Sequence, residues 1–176
     1  GFFWWMDKNE EGTTMITAPE GGKVDPNNYT IERYYSMEKI PEEYREYVEE
    51  IGEIKGNLAY TLGYVKVTKN EFNDTLYVYM NNVGDKLRFK IRIYPEEIQR
   101  VRETYPGYTF EREFEDEGIS FDVFSKEESS GEYTYIMYFY YGKEKYIVIG
   151  RNDEDRIQDI VIAYKNVVLS HEGNQQ

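Results

Sequence analysis

Tyrosine spacing constrains the fold of this chain more than any other feature. Nineteen of its 176 residues are Tyr, and many stand in alternating runs such as Tyr133-Thr134-Tyr135-Ile136-Met137-Tyr138-Phe139-Tyr140-Tyr141. Aromatic and β-branched residues at a period of two fit a pleated surface whose faces differ in burial. A tyrosine at such a position packs its ring and lets its hydroxyl reach water or a polar partner. The pattern predicts half-buried antiparallel sheet.

The first strand is predicted at 29–35, and a second at 58–69 with a bulge at Gly63. Residues 75–80 and 86–94 form a hairpin across Asn81–Asp85. In its second arm Leu87, Phe89, Ile91 and Ile93 face one way and Arg88, Lys90 and Arg92 the other. Further strands fall at 108–114 and 119–124, and a second hairpin at 133–141 and 146–149 turns at Gly142-Lys143. Ile40, Tyr44, Tyr47, Val48, Ile51 and Ile54 make a 3.6-residue stripe behind Pro41, which predicts a helix over 41–51. Pro95-Glu96-Glu97 opens a short helix with Ile98 and Val101 on its buried edge, stopped by Pro106-Gly107. Asn152 or Asp153 caps a last helix bearing Ile157, Ile160, Val161, Tyr164 and Val168. Strands arriving in hairpins give an α+β class, an antiparallel sheet with two or three short helices packed on one face. Residues 1–28 read as an N-terminal arm and linker, 29–169 as a single domain with a weak division near 95, and 170–176 as a frayed tail.

Charge and composition remove several classes of function. With 34 acidic against 21 basic residues, the formal charge is −13. Nucleic acid is excluded as a partner, because phosphate neutralisation needs surplus Lys and Arg, and adhesion to anionic lipid is disfavoured in the same way. The absence of cysteine eliminates disulfides, thiolate metal sites and cysteine nucleophiles. No run approaches 18 apolar residues, the length a bilayer span requires. Gly1 at the start reads as a processed or trimmed end. Behind it, Phe2-Phe3-Trp4-Trp5-Met6 stops abruptly at Asp7-Lys8-Asn9-Glu10-Glu11. Two readings stay open: the interfacial belt of a removed membrane helix, or an arm packing its tryptophans onto the domain.

The catalytic vocabulary is thin. The only histidine, His171, stands in the polar tail, and no zinc-protease, nucleophile-elbow or phosphate-loop motif is present. Asn152-Asp153-Glu154-Asp155 with Asp159 offers oxygen ligands, yet lacks the glycine and distal glutamate of a calcium loop. Helix capping accounts for these acids. No catalytic residue, metal ligand or cofactor is assigned.

Binding signals are better defined. Lys86, Arg88, Lys90 and Arg92 form a basic stripe, with Arg100 and Arg102 beyond, whereas residues 111–132 carry nine acids against Arg112 and Lys126. Either the two sets pair within one sheet, or the stripe docks an acidic partner. Tyr77 and Tyr79 alternate with Leu76, Val78 and Met80, so one set is expected outside the core. Together with Tyr133 and Tyr135, they are candidate rows for stacking sugar rings or gripping peptide. Asn28-Tyr29-Thr30 and Asn73-Asp74-Thr75 match glycosylation acceptors.

Ile40-Pro41-Glu42-Glu43-Tyr44 is similar to the "iPeGY" signature of DUF4367-type extracytoplasmic domains of Gram-positive bacteria, with Glu43 where glycine is usual. The run Tyr133–Tyr164, an aromatic hairpin followed by an acid-capped helix, resembles the end of such domains. The resemblance implies a domain outside the cytoplasmic membrane, held by a membrane helix or lipid anchor, with no catalytic residues to carry over. The expected function is thus a non-enzymatic extracytoplasmic sensor or protein-interaction domain. Its partner would be a protein or cell-wall polymer, and it would touch the membrane only through a removed N-terminal anchor. A glycan-binding module using exposed tyrosines and a hydrolase with paired carboxylates are the alternatives.

Overall fold

Period-two alternation yields eight strands: β1 (Thr30–Tyr34), β2 (Thr61–Lys69), β3 (Asp74–Asn81), β4 (Leu87–Ile93), β5 (Thr109–Asp116), β6 (Ile119–Glu127), β7 (Tyr133–Tyr141) and β8 (Glu144–Arg151). The computed structural model describes residues 28–54, 61–81 and 87–174. The N-terminal aromatic cluster, the linker before Asn28, the start of the second predicted strand and most of the first hairpin turn lie outside them. All eight strands pair antiparallel in one sheet, in the order β1-β2-β3-β4-β8-β7-β6-β5. Two four-stranded meanders therefore meet where β4 pairs with β8, Leu87 opposite Gly150 and Ile93 opposite Glu144. The predicted division near 95 is a seam inside a continuous sheet. The β2–β3 register slips between Leu62 and Tyr64, where Gly63 supplies the expected bulge.

Helix α1 (Glu42–Gly52) begins where Pro41, at φ −53, enters the first turn, and Glu42 and Glu43 sit at its positive end. Helix α2 (Glu154–Asn174) starts at Asp153, whose Oδ1 accepts the Arg156 N–H at 3.1 Å. Capping thus explains the acids around 153. Tyr44, Val48 and Ile51 of α1 and Ile157, Ile160, Val161, Tyr164 and Val168 of α2 join one core with Val65, Val67, Leu76, Val78, Phe89, Ile91, Met137, Phe139 and Val148. Tyr164 sets its ring edge-on to Phe89, Phe139 and Tyr146 at 5.4, 6.0 and 5.3 Å. The coarse α+β expectation holds: a mostly-strand domain with an antiparallel sheet and two α-helices among the described residues, plus a short 3-10 turn at Met37–Lys39.

Several boundaries move. β6 and β8 each run beyond the predicted strands, and the predicted tail continues as α2 to Asn174. The predicted helix after Pro95 is missing; residues 94–108 form no helix or strand. Topology overrides the local signal there. β4 lies in the middle of the sheet and β5 at its edge, four strand spacings or about 19 Å away. The connection crosses β8, β7 and β6 on the face opposite the helices, tied by Tyr94 N–H to Lys143 O (2.9 Å) and Ile98 N–H to Gly142 O (3.2 Å). Tyr105 and Tyr108 then pack on Phe124, Ile136, Tyr138, Ile147 and Ile149, a second core beneath this strap.

Candidate functional site

Both faces of the central strands are buried, and this decides the fate of the basic stripe. Arg88 and Lys90 are 0% and 2% exposed, and Arg92 is half-buried, so the stripe lies inside the molecule. Tyr77 and Tyr79, expected at the surface opposite Leu76 and Val78, are interior as well. Their rings receive the cations. Lys66 Nζ stands 4.5 Å and Lys90 Nζ 5.1 Å from the Tyr77 centroid, while the Arg88 guanidinium approaches Tyr79 at 5.2 Å and donates to its hydroxyl at 3.1 Å. A desolvated cation on an aromatic face recovers part of its lost hydration. Burial pulls the Lys90 ammonium well below its ordinary value, and Arg92 and Arg88 add repulsion.

The strap supplies the countercharges. Glu103 lies 2.7 Å from Lys145 Nζ and 3.8 Å from Arg92, and Lys145 also donates to Tyr105 Oη at 3.2 Å with the Tyr138 ring 3.9 Å away. The Glu103 N–H bonds Tyr138 Oη at 3.1 Å, and Tyr140 Oη donates to Val101 O at 3.0 Å. Further along, Arg100 reaches Glu113 and Asp122, and Arg102 lies 3.2 Å from Glu113 and 4.0 Å from the Phe110 centroid. Acidic and basic sets do pair, but across the strap more than across strands. Burial lowers Lys145 to about 7 although Glu103 opposes it. Burial works to raise Glu103, yet Lys145 and Arg92 outweigh it and hold the carboxyl at about 2. An amine with that balance has the chemistry of a proton acceptor. Here it is wholly enclosed and held by Glu103 and Tyr105, which makes it a clamp on the strap.

Open surface remains elsewhere. A cleft of about 230 Å³ is lined by Asn70, Glu71, Phe72, Asn73, Asp74, Ile93, Tyr94 and Pro95. Asn70 Oδ1 closes its floor by accepting the Phe72 and Asn73 N–H groups at 2.7 and 3.0 Å. Asn73 is buried and its amide donates to Thr75 Oγ1 at 2.9 Å, so that glycosylation acceptor is occupied by the fold. Among the described residues the exposed large apolar side chains are Ile31 (46%) in β1 and Tyr35 (69%) just after it, with Tyr133 (42%), Phe110 and Val101 elsewhere. Tyr133 and half-buried Tyr135 lie 6.3 Å apart with rings 26° from parallel. Of the aromatic candidates, these two reach the rim.

Among the described residues one group of donors is close enough to hold a metal ion: Glu46 and Glu50 of α1 with His171 of α2. Sequence reasoning placed His171 in a solvated tail and passed over it. The available signal was Glu46, Glu50 and Glu53 along one helical face, a like-charge spacing that an isolated helix disfavours. No helix among the described residues is long and apolar enough to cross a membrane. Comparison with protein-family models, curated proteins and solved structures found no match.

Proposed function

We propose that this chain is a non-enzymatic extracytoplasmic sensor or protein-interaction domain tethered to a membrane. The observation that carries the interaction reading is the outer strand β1. Among the described residues it pairs only with β2, four of its five residues are exposed, and Ile31 within it and Tyr35 just after it present large apolar side chains. An open edge of this kind accepts an extended segment by backbone pairing, with apolar side chains giving selectivity. The excess of acid favours a partner segment that carries Lys or Arg. The extracytoplasmic placement leans on the similarity of Ile40–Tyr44 and Tyr133–Tyr164 to DUF4367-type domains.

Two measurements test it. A photo-crosslinking amino acid at Tyr35 should trap a defined adduct in the source cells, and the same group at exposed Lys143 should not. Equal trapping at both positions removes β1 as the docking edge. Because the chain has no cysteine, Lys143→Cys gives a single thiol for a membrane-impermeant maleimide. Labelling of intact cells supports the placement, and labelling only after lysis overturns it. A second reading rests on the Tyr133–Tyr135 pair, whose near-parallel rings at the rim suit a glycan platform. Tyr133→Ala should then abolish retention on cell-wall polysaccharide.

A further inference from the structure

Glu46 and Glu50 of α1 and Glu53, at its C-cap, follow spacings of four and three, so all three lie toward one face. Opposite them, His171 comes from the end of α2. Its Nε2 meets Glu53 Oε2 in a short hydrogen bond. Its Nδ1 is thereby turned toward Glu46 Oε1 at 3.7 Å and Glu50 Oε2 at 3.9 Å. The donor atoms of Glu46, Glu50 and His171 all lie within 4.8 Å of one another.

The buried Glu50 makes this group more than a cluster of surface acids. Glu50 is 5% exposed, and its Oε2 lies 3.9 Å from His171 Nδ1. Tyr164 Oη is wholly buried and finds no hydrogen-bond partner among the described residues. Of the charges acting on that hydroxyl, Glu50 is the strongest, ahead of Tyr47 and Glu144. Burial disfavours the charged form of the Glu50 carboxyl, and a cation held against it would favour that form.

We propose that Glu46, Glu50 and His171 bind a first-row transition-metal dication of the zinc class, with Glu53 orienting the imidazole. Two carboxylates and a neutral imidazole balance the charge of such an ion. Metal–oxygen and metal–nitrogen bonds of about 2.0–2.2 Å place neighbouring tetrahedral ligands roughly 3.3–3.6 Å apart. The 3.7 and 3.9 Å separations need close by only a few tenths of an ångström. The imidazole donor selects against Ca²⁺ and Mg²⁺, which take oxygen. Glu53 on the far ring nitrogen is the outer-shell carboxylate that metal-bound histidines commonly have. The His171 side chain is 28% exposed, which leaves the outer side of the site open to water as a further ligand. The site would join α1 to α2 across most of the chain, and it stands whether or not the domain is a sensor.

The test uses the full chain freed of metal with EDTA. Cobalt chloride is followed by visible absorption and zinc chloride by calorimetry. The expected result is one ion per chain with a dissociation constant of about 10 μM or tighter, the strong visible bands of a four-coordinate cobalt site, and an unfolding midpoint that rises with zinc concentration. Glu50→Gln and His171→Gln, which keep shape, should each weaken binding about 100-fold or more. Glu53→Gln should cost roughly 10- to 100-fold as an outer-shell change, and remote Glu96→Gln should change nothing. Failure of the unmutated chain to bind either ion at about 100 μM overturns the site, as does equal binding by the Glu50 and His171 variants.

Discussion

At the scale of single residues, the Glu103–Lys145 pair is where the chain departs furthest from a simple sheet protein. Removing one member of a buried pair strands the other, so Glu103→Ala should cost about 3–5 kcal/mol in urea unfolding. Glu43→Ala, which breaks the exposed 3.7 Å contact with Lys69, should stay within about 0.5 kcal/mol. The pH dependence follows from the directions of shift. The folded Glu103 carboxyl titrates at about 2 against an ordinary 4.5. Its contribution is therefore complete above pH 4.5 and is lost as pH falls toward 2, and Glu103→Gln should flatten that limb of the stability profile. Lys145 titrates at about 7 against 10.5. Between those values the unfolded chain holds the proton more tightly, so stability should climb as pH rises from 7 to 10.5, and Lys145→Met should remove the climb. Gly150 poses a steric question instead. A Cβ there would meet Ile157 Cδ1 at 2.9 Å and Leu87 Cδ1 at 3.3 Å. Gly150→Ala should destabilise by about 1–3 kcal/mol, read as a shift in urea midpoint.

Among the elements, strands were legible and the strap was not. Alternation in Leu87–Ile93 and Tyr133–Tyr141 specified both pleat and pairing, because side-chain period is a local property. The same alternation misled about exposure: Arg88, Lys90 and Arg92 look solvated beside Leu87 and Phe89, yet aromatic rings and Glu103 enclose them. Pro95-Glu96-Glu97 carries a sound helix start, but the distance to β5 imposes an extended path and long-range packing decides. His171 was misplaced for a related reason, since its partners lie 118 and more residues away on α1 and its C-cap. What holds the strap is thus tertiary. Tyr105→Ala, which vacates contacts with Phe124 and Tyr138 at 5.1 and 6.3 Å, should cost about 2–4 kcal/mol. Hydrogen exchange should speed up over 94–108 while β7 and β8 stay protected; uniform loss of protection would show that the strap has no separate opening.

For the whole molecule, the β4–β8 seam sets the behaviour. Two meanders that share a sheet and a helical layer should melt together, with calorimetric and van't Hoff enthalpies equal. Two resolved transitions would restore the picture of separate lobes. Pairing runs between successive strands except at the β4–β8 seam, so that one long-range closure should be the slow step of folding. The seam also has a consequence for the order in which the chain is made. β4 ends at Ile93, and the strand that covers its free edge ends at Arg151. At about 5–20 residues per second, translation leaves that edge bare for roughly 3–12 seconds. During that interval a finished first meander waits on the ribosome with Arg88 and Lys90 uncovered, and its own C-terminal half is the chaperone it needs.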